Sequence, residues 1–591
     1  MVILMRICAS VAKKIGVSPL MLYPLIAAAI IFVPNVSGWP ATPSVYLVFL
    51  GFSILPFFLI SSVAKRIKLN VTWLDLAVGV AGIYFLGWYI WMPCSSDYLF
   101  VFLALGGVYI FSRCYKICQN NIQYIVGLSV YTVILSCIPE LFRAVHATPS
   151  PYVPLRGSIG NSGLLSIALA LSCPIFIDAI IRNFPRNRTK ANAALLLFCP
   201  ILIIVAQSGS RTATLILAFG LLLPVARMIS NSAGKTLYFL FMGFAVALSA
   251  CLSGLTVKQG SANGRILIWN VSMDMFRDNP VFGVGPGQYQ VQYLDYQEHY
   301  FRDDAARISR AGTYADNNQL AFNEALHWTV EFGVVGLFLL AVIIYLAFKG
   351  GMSLLENGSC VSFDMLFLFF VACSFSYPLH ITPLLVFFLM LLASLSNGLQ
   401  PIRAGYFSAV ISGKYASFFL IMIGMSGTIA SINQFRLHVR WKSASMSILS
   451  NEETALKEYQ DLYPFLQSRG TFLYNYGAEL FEVGRYRECI EVLDKASEQF
   501  NHTDLHLYLG KAYEKLGKLD SAIFRYTKAD YMIPSRFYPK YFLAMLYQAN
   551  GQRDLAKEFA YKILSMSAKV PSKSIDDMKT KMRKIIANEV E

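Results

Sequence analysis

The chain alternates long apolar runs with short polar breaks over its first 434 residues and then changes character. A helix needs about 20 apolar residues to cross a hydrocarbon core of about 30 Å. Runs of that kind fall near residues 19–34, 44–63, 73–92, 98–112, 123–142, 163–182, 191–207, 211–229, 236–254, 329–348, 363–378, 382–397 and 415–434. They predict about thirteen membrane helices, or twelve if one of the weaker runs, 98–112 or the pair around Pro378, does not cross. Lys and Arg collect in "AKRIK", "SRCYK", "IRNFPRNRTK" and "ARMISNSAGK", which follow every second run. Positive charge marks cytoplasmic loops. The breaks at 143–162, 207–211, 255–328 and 378–381 therefore face the opposite side.

Beyond residue 434 the pattern becomes that of amphipathic helices in water. The stretches "YGAELFEVGRYRECIEVLDKA", "LGKAYEKLGKLDSAIFRYTKA" and "LAMLYQANGQRDLAKEFAYKI" superimpose Gly484, Gly517 and Gly551, at spacings of 33 and 34 residues. This resembles tetratricopeptide repeats. Gly477 and Gly510 take the small position of the first helix, Tyr513 and Tyr547 its aromatic position, Ala522 and Ala556 the small position of the second helix, and Pro534 the terminator. Such a solenoid offers a concave surface to a peptide or partner and has no chemistry of its own. The expected domains are 1–434, a membrane bundle whose long 255–328 loop carries the chemistry, and 435–591, the repeats. Thirteen spans put the repeats outside the cytoplasm and twelve put them inside. The basic "RLHVRWK" favours inside, but long domains translocate largely regardless of charge, and outside is the expectation.

Composition agrees: 56% of residues are apolar and 14% charged, against roughly 45–50% apolar in soluble proteins. The excess of 50 basic over 35 acidic residues fits cytoplasmic loops and anionic headgroups, and no nucleic-acid module accompanies it. The 11 cysteines are scattered, and Cys114 and Cys118 have no second pair to complete a metal site.

Candidate chemistry lies in the outward segments. "PLRGSIGNSG" sets Arg156 and Asn161 at a helix entrance, which suits an anion or is an ordinary turn. Arg211 stands at the outer end of another apolar run, where a lone Arg is often a snorkelling anchor. Arg265 follows in "GRILIW", and Gly283, Gly285 and Gly287 bracket Pro286 in a stretch able to turn sharply. No acidic partner frames those glycines as a dinucleotide motif. Three arginines, a Gly-rich turn and a polar re-entry helix would suit a membrane-tethered lipid diphosphate, because Arg binds phosphate bidentately and keeps its charge near lipid.

"GNSG" at 160–163, "SR" at 210–211, "GRILIW" at 264–269, "DNPVFGVGPGQY" at 278–289 and "NEALHWTVEFGVVG" at 323–336 resemble, in order and topology, the bacterial O-antigen ligase and polymerase superfamily over roughly residues 120–400. The resemblance implies an all-α, GT-C-like polytopic bundle followed by the small α-solenoid. It also implies a metal-independent, cofactor-free inverting glycosyltransferase in the bacterial inner membrane. Such an enzyme moves a glycan from undecaprenyl diphosphate, at the periplasmic face, to lipid A core, another glycan or a protein hydroxyl. Arg211 and Arg265 would then hold the diphosphate, with Arg156 a third, while Gly283, Gly285, Gly287 and Glu331 shape the loop.

The family's His-Asn pair falls on Phe322 and Asn323. Phenylalanine cannot take a proton. On a helix starting near Gln319, Asn323, His327 and Glu331 would share one face. The candidate bases are Glu324, His327, a more distant group such as Asp316 or His299, or none from the protein. Polymerase and protein oligosaccharyltransferase activities remain open within the superfamily. A lipid-linked glycan transporter lies outside it, and would need ionisable groups deep in the membrane. Asp75, Glu140, Asp178 and Asp364 all sit near the ends of runs.

Overall fold

The computed structural model describes residues 68–91, 155–233, 259–356, 361–402, 408–410, 432–448 and 451–587 except Lys569, with scattered positions between 102 and 142 and at 429. The runs at 19–34, 44–63 and 236–254 lie outside the described residues, as do parts of 98–112 and 123–142 and most of 415–434. Among the described residues four helices are long and apolar enough to cross a membrane: Trp73–Trp91, Ser162–Asn183, Arg188–Ser208 and Glu324–Leu355. The protein is a membrane protein of all-α class. A three-residue antiparallel ribbon, β1 (Lys68–Asn70) with β2 (Ser408–Val410), is the one strand pair among the described residues.

In chain order the helices are α1 (Trp73–Trp91), α2 (Ser162–Leu171), α3 (Cys173–Asn183), α4 (Arg188–Ser208) and α5 (Arg211–Ala233). The long loop supplies α6 (Gln259–Asp278), α7 (Tyr289–Arg302) and α8 (Ala305–Ala311), and α9 (Glu324–Glu356), α10 (Val361–Phe375) and α11 (Thr382–Ser396) follow. The C-terminal part holds α12 (Glu452–Leu466), α13 (Gly470–Glu482), α14 (Tyr486–Ser497), α15 (Thr503–Lys515), α16 (Leu519–Met532), α17 (Phe537–Ala549), α18 (Arg553–Ser565) and α19 (Lys573–Ala587). By contact the chain forms two compact units, 1–255 with 322–325 and 335–435, and 256–321 with 326–334 and 436–591. The sequence reading assigned the long loop to the membrane domain, whereas its contacts group it with the repeats.

In the first unit, Asn161 starts α2 by accepting the Gly163 and Leu164 N–H groups at 2.9 and 3.1 Å, which satisfies donors a helix start would otherwise leave open. Gly209, in the left-handed region at φ 61°, ends α4 and reverses the chain into α5. Helix α10 runs antiparallel to α5: Asp364 pairs with Arg227 at 2.8 Å and Phe367 meets Phe219 edge-on at 6.5 Å. A Cβ on Gly220 would stand 2.9 Å from Cys173 Cβ and 3.3 Å from Leu368 Cδ1, so the missing side chain lets α3, α5 and α10 close. Asp178 also reaches Arg227, at 3.3 Å, and Asp75 is held by Arg113 at 2.7 Å. Desolvated charges of this kind are tolerable only when paired.

In the second unit the repeats form as helix pairs α13–α14, α15–α16 and α17–α18. Gly484, Gly517 and Gly551 take φ of 79°, 73° and 74° at the intervening turns, a conformation glycine adopts without steric cost. A Cβ on Gly477 or Gly510 would come within 2.4 Å of Leu493 or Tyr526 respectively. The second repeat packs on the long loop. Gln297 of α7 donates to the Met532 carbonyl at 2.6 Å, Lys528 pairs with Asp295 at 2.7 Å, and Asn317 Oδ1 accepts from the Thr503 N–H and hydroxyl at 3.0 and 2.9 Å. A loop side chain thereby serves the first turn of a repeat helix.

Candidate functional site

The Gly-rich turn and residues 330–334 form a backbone interlock in the second unit. Helix α9 is interrupted at Gly333, which adopts φ 65° and ψ −164°. The Gly-rich turn fills that interruption: Val284 and Gly285 donate to the Val330 and Glu331 carbonyls, and Val334 donates to the Pro280 carbonyl, all at 2.9 Å. A Cβ on Gly283 would lie 2.4 Å from the Glu331 carbonyl carbon, and one on Gly333 would lie 2.2 Å from the Val281 oxygen. Both glycines are thus required by backbone-to-backbone approach. The Glu331 carboxylate accepts the Gly287 N–H at 2.8 Å. His327 Nε2 lies 3.4 Å from the same carboxylate oxygen, its ring packs on Tyr289 at 4.3 Å, and Tyr289 Oη meets Ser272 Oγ at 2.8 Å. Burial pushes the Tyr289 hydroxyl well above the ordinary phenol range, so it stays a neutral hydrogen-bonding group. Glu331 and His327 are nearly enclosed, with side chains 11% and 7% exposed.

The helix does not begin near Gln319. Phe322 occupies the left-handed region at φ 53°, which no helix can continue through, and the first helical residue is Glu324. Asn323 therefore stands outside the helix that carries His327 and Glu331. Its side chain donates to the Ser374 carbonyl at 3.3 Å in the first unit, and the Phe322 ring meets Tyr377 edge-on at 5.1 Å. Glu324 turns into the same 374–380 segment. One carboxylate oxygen accepts the Leu379 N–H at 2.7 Å, and the other lies 3.1 Å from His380 Nδ1. Glu324 is 9% exposed and His380 is 32% exposed, so a buried carboxylate sits against a half-buried imidazole.

Arg211 is the exposed first residue of α5. Because α10 is antiparallel to α5, its C-terminal end and the following 376–380 turn lie toward Arg211, while Arg227 is about 24 Å further along the helix, from a rise of 1.5 Å per residue. Ser210 Oγ lies 3.9 Å from the Cβ position of Gly163, and α2 packs on the 378–380 turn. One end of the first unit therefore gathers Asn161, Arg211, Asn323, Glu324 and His380. Arg156, also exposed, precedes a short turn whose Arg156 and Gly157 N–H groups are held by Glu140 at 2.7 and 3.1 Å. Arg265 sits in the second unit on α6, one turn before Trp269, whose indole donates to the Ala321 carbonyl at 3.0 Å. His299 lies 3.7 Å from Glu298, and Asp316 accepts the neighbouring Asn317 N–H at 2.9 Å. His380 is not among the residues the sequence singles out. No motif surrounds it, and its partner is 56 residues earlier, so the polar "PLH" reads only as a turn.

Residues 188–341 match the O-antigen ligase family model. The match spans Arg211, Arg265, the Gly-rich turn and the 323–336 re-entry, and supports a ligase- or polymerase-type glycosyltransferase activity. Comparison with curated proteins finds no match. Among solved structures, the APC/C hetero-tetramer Cut9–Hcn1 aligns over 87% of this chain and 97% of its own at 13% identity with a TM-score of 0.23, too weak a likeness to carry an argument.

Proposed function

We propose that the protein is a metal-independent, inverting glycosyltransferase of O-antigen ligase type, working at the periplasmic face of the bacterial inner membrane. The observation that carries the reading is the family match over 188–341. The donor is a glycan on undecaprenyl diphosphate and the acceptor is a hydroxyl on lipid A core. The acceptor oxygen attacks the anomeric carbon from the face opposite the departing diphosphate. Arg211 and Arg265 each neutralise leaving-group charge, with Arg156 in a supporting role, and such fixed charges act more strongly on the transition state than on the ground state.

The packing of the second repeat on the long loop supports placing the repeats on the same side of the membrane as that loop, hence thirteen spans. A protein hydroxyl is the second acceptor reading, favoured by the repeats sharing a compact unit with the loop. A transporter is less well supported, because Asp75, Asp178 and Asp364 are all held by arginines. Deleting the gene in its host tests the assignment. A ligase leaves polymer-length glycan on the lipid carrier, a polymerase leaves single units, and loss of glycan from periplasmic proteins marks the protein-directed form. Replacing Arg211 or Arg265 by Ala should lower transfer by about a hundredfold, while Lys should restore part of it.

A further inference from the structure

We propose that the outward side of α6 and the tip of the Gly-rich turn lie in the lipid–water interface, so that the partner of this surface is the phospholipid bilayer itself. The proposal needs the chain to be a membrane protein and does not depend on the transferase reading. Helix α6 divides its circumference into three sectors. Leu267, Ile268, Val271 and Met275 are buried and form the core-facing side, where Ser272 Oγ meets Tyr289 of α7 at 2.8 Å. Asn270, Asp274 and Arg277 form a polar side, on which Arg277 is exposed and pairs with Asp274 at 2.8 Å. The third sector is apolar and faces outward. Ile266 and Met273 are 53% and 40% exposed, with the half-buried Trp269 and Phe276 beside them. These four residues fall within about 80° of the helix circumference.

A helix on the surface of a soluble protein needs only a core-facing and a water-facing side. An added outward apolar side suits a helix that lies on a membrane, sunk to the boundary between headgroups and acyl chains. Tryptophan is enriched at that depth. The Gly-rich turn extends the same kind of surface: Val281 and Phe282 are half exposed, and so is Val334, whose N–H donates to the Pro280 carbonyl at 2.9 Å. From Val334 onward α9 carries the apolar run that marks it as a membrane span. The exposed tip of the turn is therefore tied by backbone to the start of a segment in lipid, and that continuity selects the bilayer over a soluble partner. Arg265 directly precedes Ile266, so a helix held in the interface carries that arginine at the depth of lipid phosphate groups.

The test uses the full chain reconstituted in phosphatidylcholine vesicles. A fluorescent amino acid replaces Ile266, Met273 or Val281 in turn, with exposed Asp520 of α16 as the water-facing control. Three quenchers are compared: phosphatidylcholine with a nitroxide near the headgroup end of its acyl chain, the same lipid with the nitroxide at the methyl end, and iodide on both sides of the membrane. At all three sites the near-headgroup nitroxide should quench about threefold or more strongly than at Asp520, the methyl-end nitroxide less, and iodide less than at Asp520. Met273→Glu, an exposed change that leaves the core-facing side intact, should weaken lipid quenching at Val281 by about twofold. Each variant is checked by size exclusion for wild-type folding. Iodide quenching equal to that at Asp520, with no effect of either lipid, overturns the proposal. Protection from all three quenchers also overturns it, because the surface is then covered by protein, and a crosslink between labelled chains would identify a second copy. The transferase reading stands in either case, since it rests on the family match.

Discussion

The first turns of helix α9 carry two glutamates seven residues apart, and each meets a histidine, yet the two pairs differ in their surroundings. Glu331 and His327 lie within the second unit, enclosed by Tyr289 and by the Gly-rich turn, whose Gly287 N–H the carboxylate accepts. Glu324 lies in the first unit, takes the Leu379 N–H, and leaves His380 about one-third exposed. The ingredients match, a carboxylate beside an imidazole, but their burial differs. The sealed pair holds the Gly-rich turn against α9, and the half-buried pair ties the start of α9 to the 374–380 segment.

The largest expected effect lies on the sealed side. Gly333→Ala would put a Cβ into the Val281 carbonyl at a left-handed position. It should destabilise the interlock by about 3 kcal/mol or more and be read as loss of folded protein in size-exclusion and thermal-unfolding assays. Next, Glu331→Ala strands the half-buried Gly287 N–H and should cost about 1 kcal/mol, seen as a lower Tm, whereas Glu331→Gln keeps an acceptor and should cost less. Glu324→Gln should show the reverse profile, slower transfer with a Tm near wild type. If Glu331→Gln instead slowed turnover at unchanged Tm, the division of labour between the pairs would fail.

Two smaller effects probe how the loop is joined to the repeats. Asn317→Ala removes the acceptor for both Thr503 donors and should cost about 1 kcal/mol, measured as faster amide exchange at the start of α15. The last concerns pH. His506, in the same repeat, is buried against Asn501, and burial holds its imidazole well below the ordinary histidine range. The folded state then resists protonation while the unfolded chain accepts it. Stability from this group is complete above about pH 6.5 and is lost on acidification, by up to about 1.4 kcal/mol per pH unit. His506→Gln should therefore flatten the fall in Tm below that pH relative to wild type.

Much was legible in the chain itself. Length of apolar run marks α1, α4, α9 and the α2–α3 path as membrane helices, since nothing in hydrocarbon satisfies backbone groups except the helix. A 33- and 34-residue spacing of Gly484, Gly517 and Gly551 marks the repeats, because a left-handed turn recurs in each. The Gly-rich turn and Glu331 are local signals of the same kind. Their use was not legible: Gly283 and Gly285 approach the backbone of α9, whereas spacing alone is equally consistent with a ligand. Nor could spacing show that α9 starts at Glu324, since a left-handed backbone at Phe322 leaves no mark in composition or period. The sequence by itself determined which segments are helical and which residues carry charge, both local properties of composition and period. Only the tertiary structure decided that Glu324 meets His380 across 56 residues and that the loop groups with the repeats, because contacts between distant residues leave no period to read.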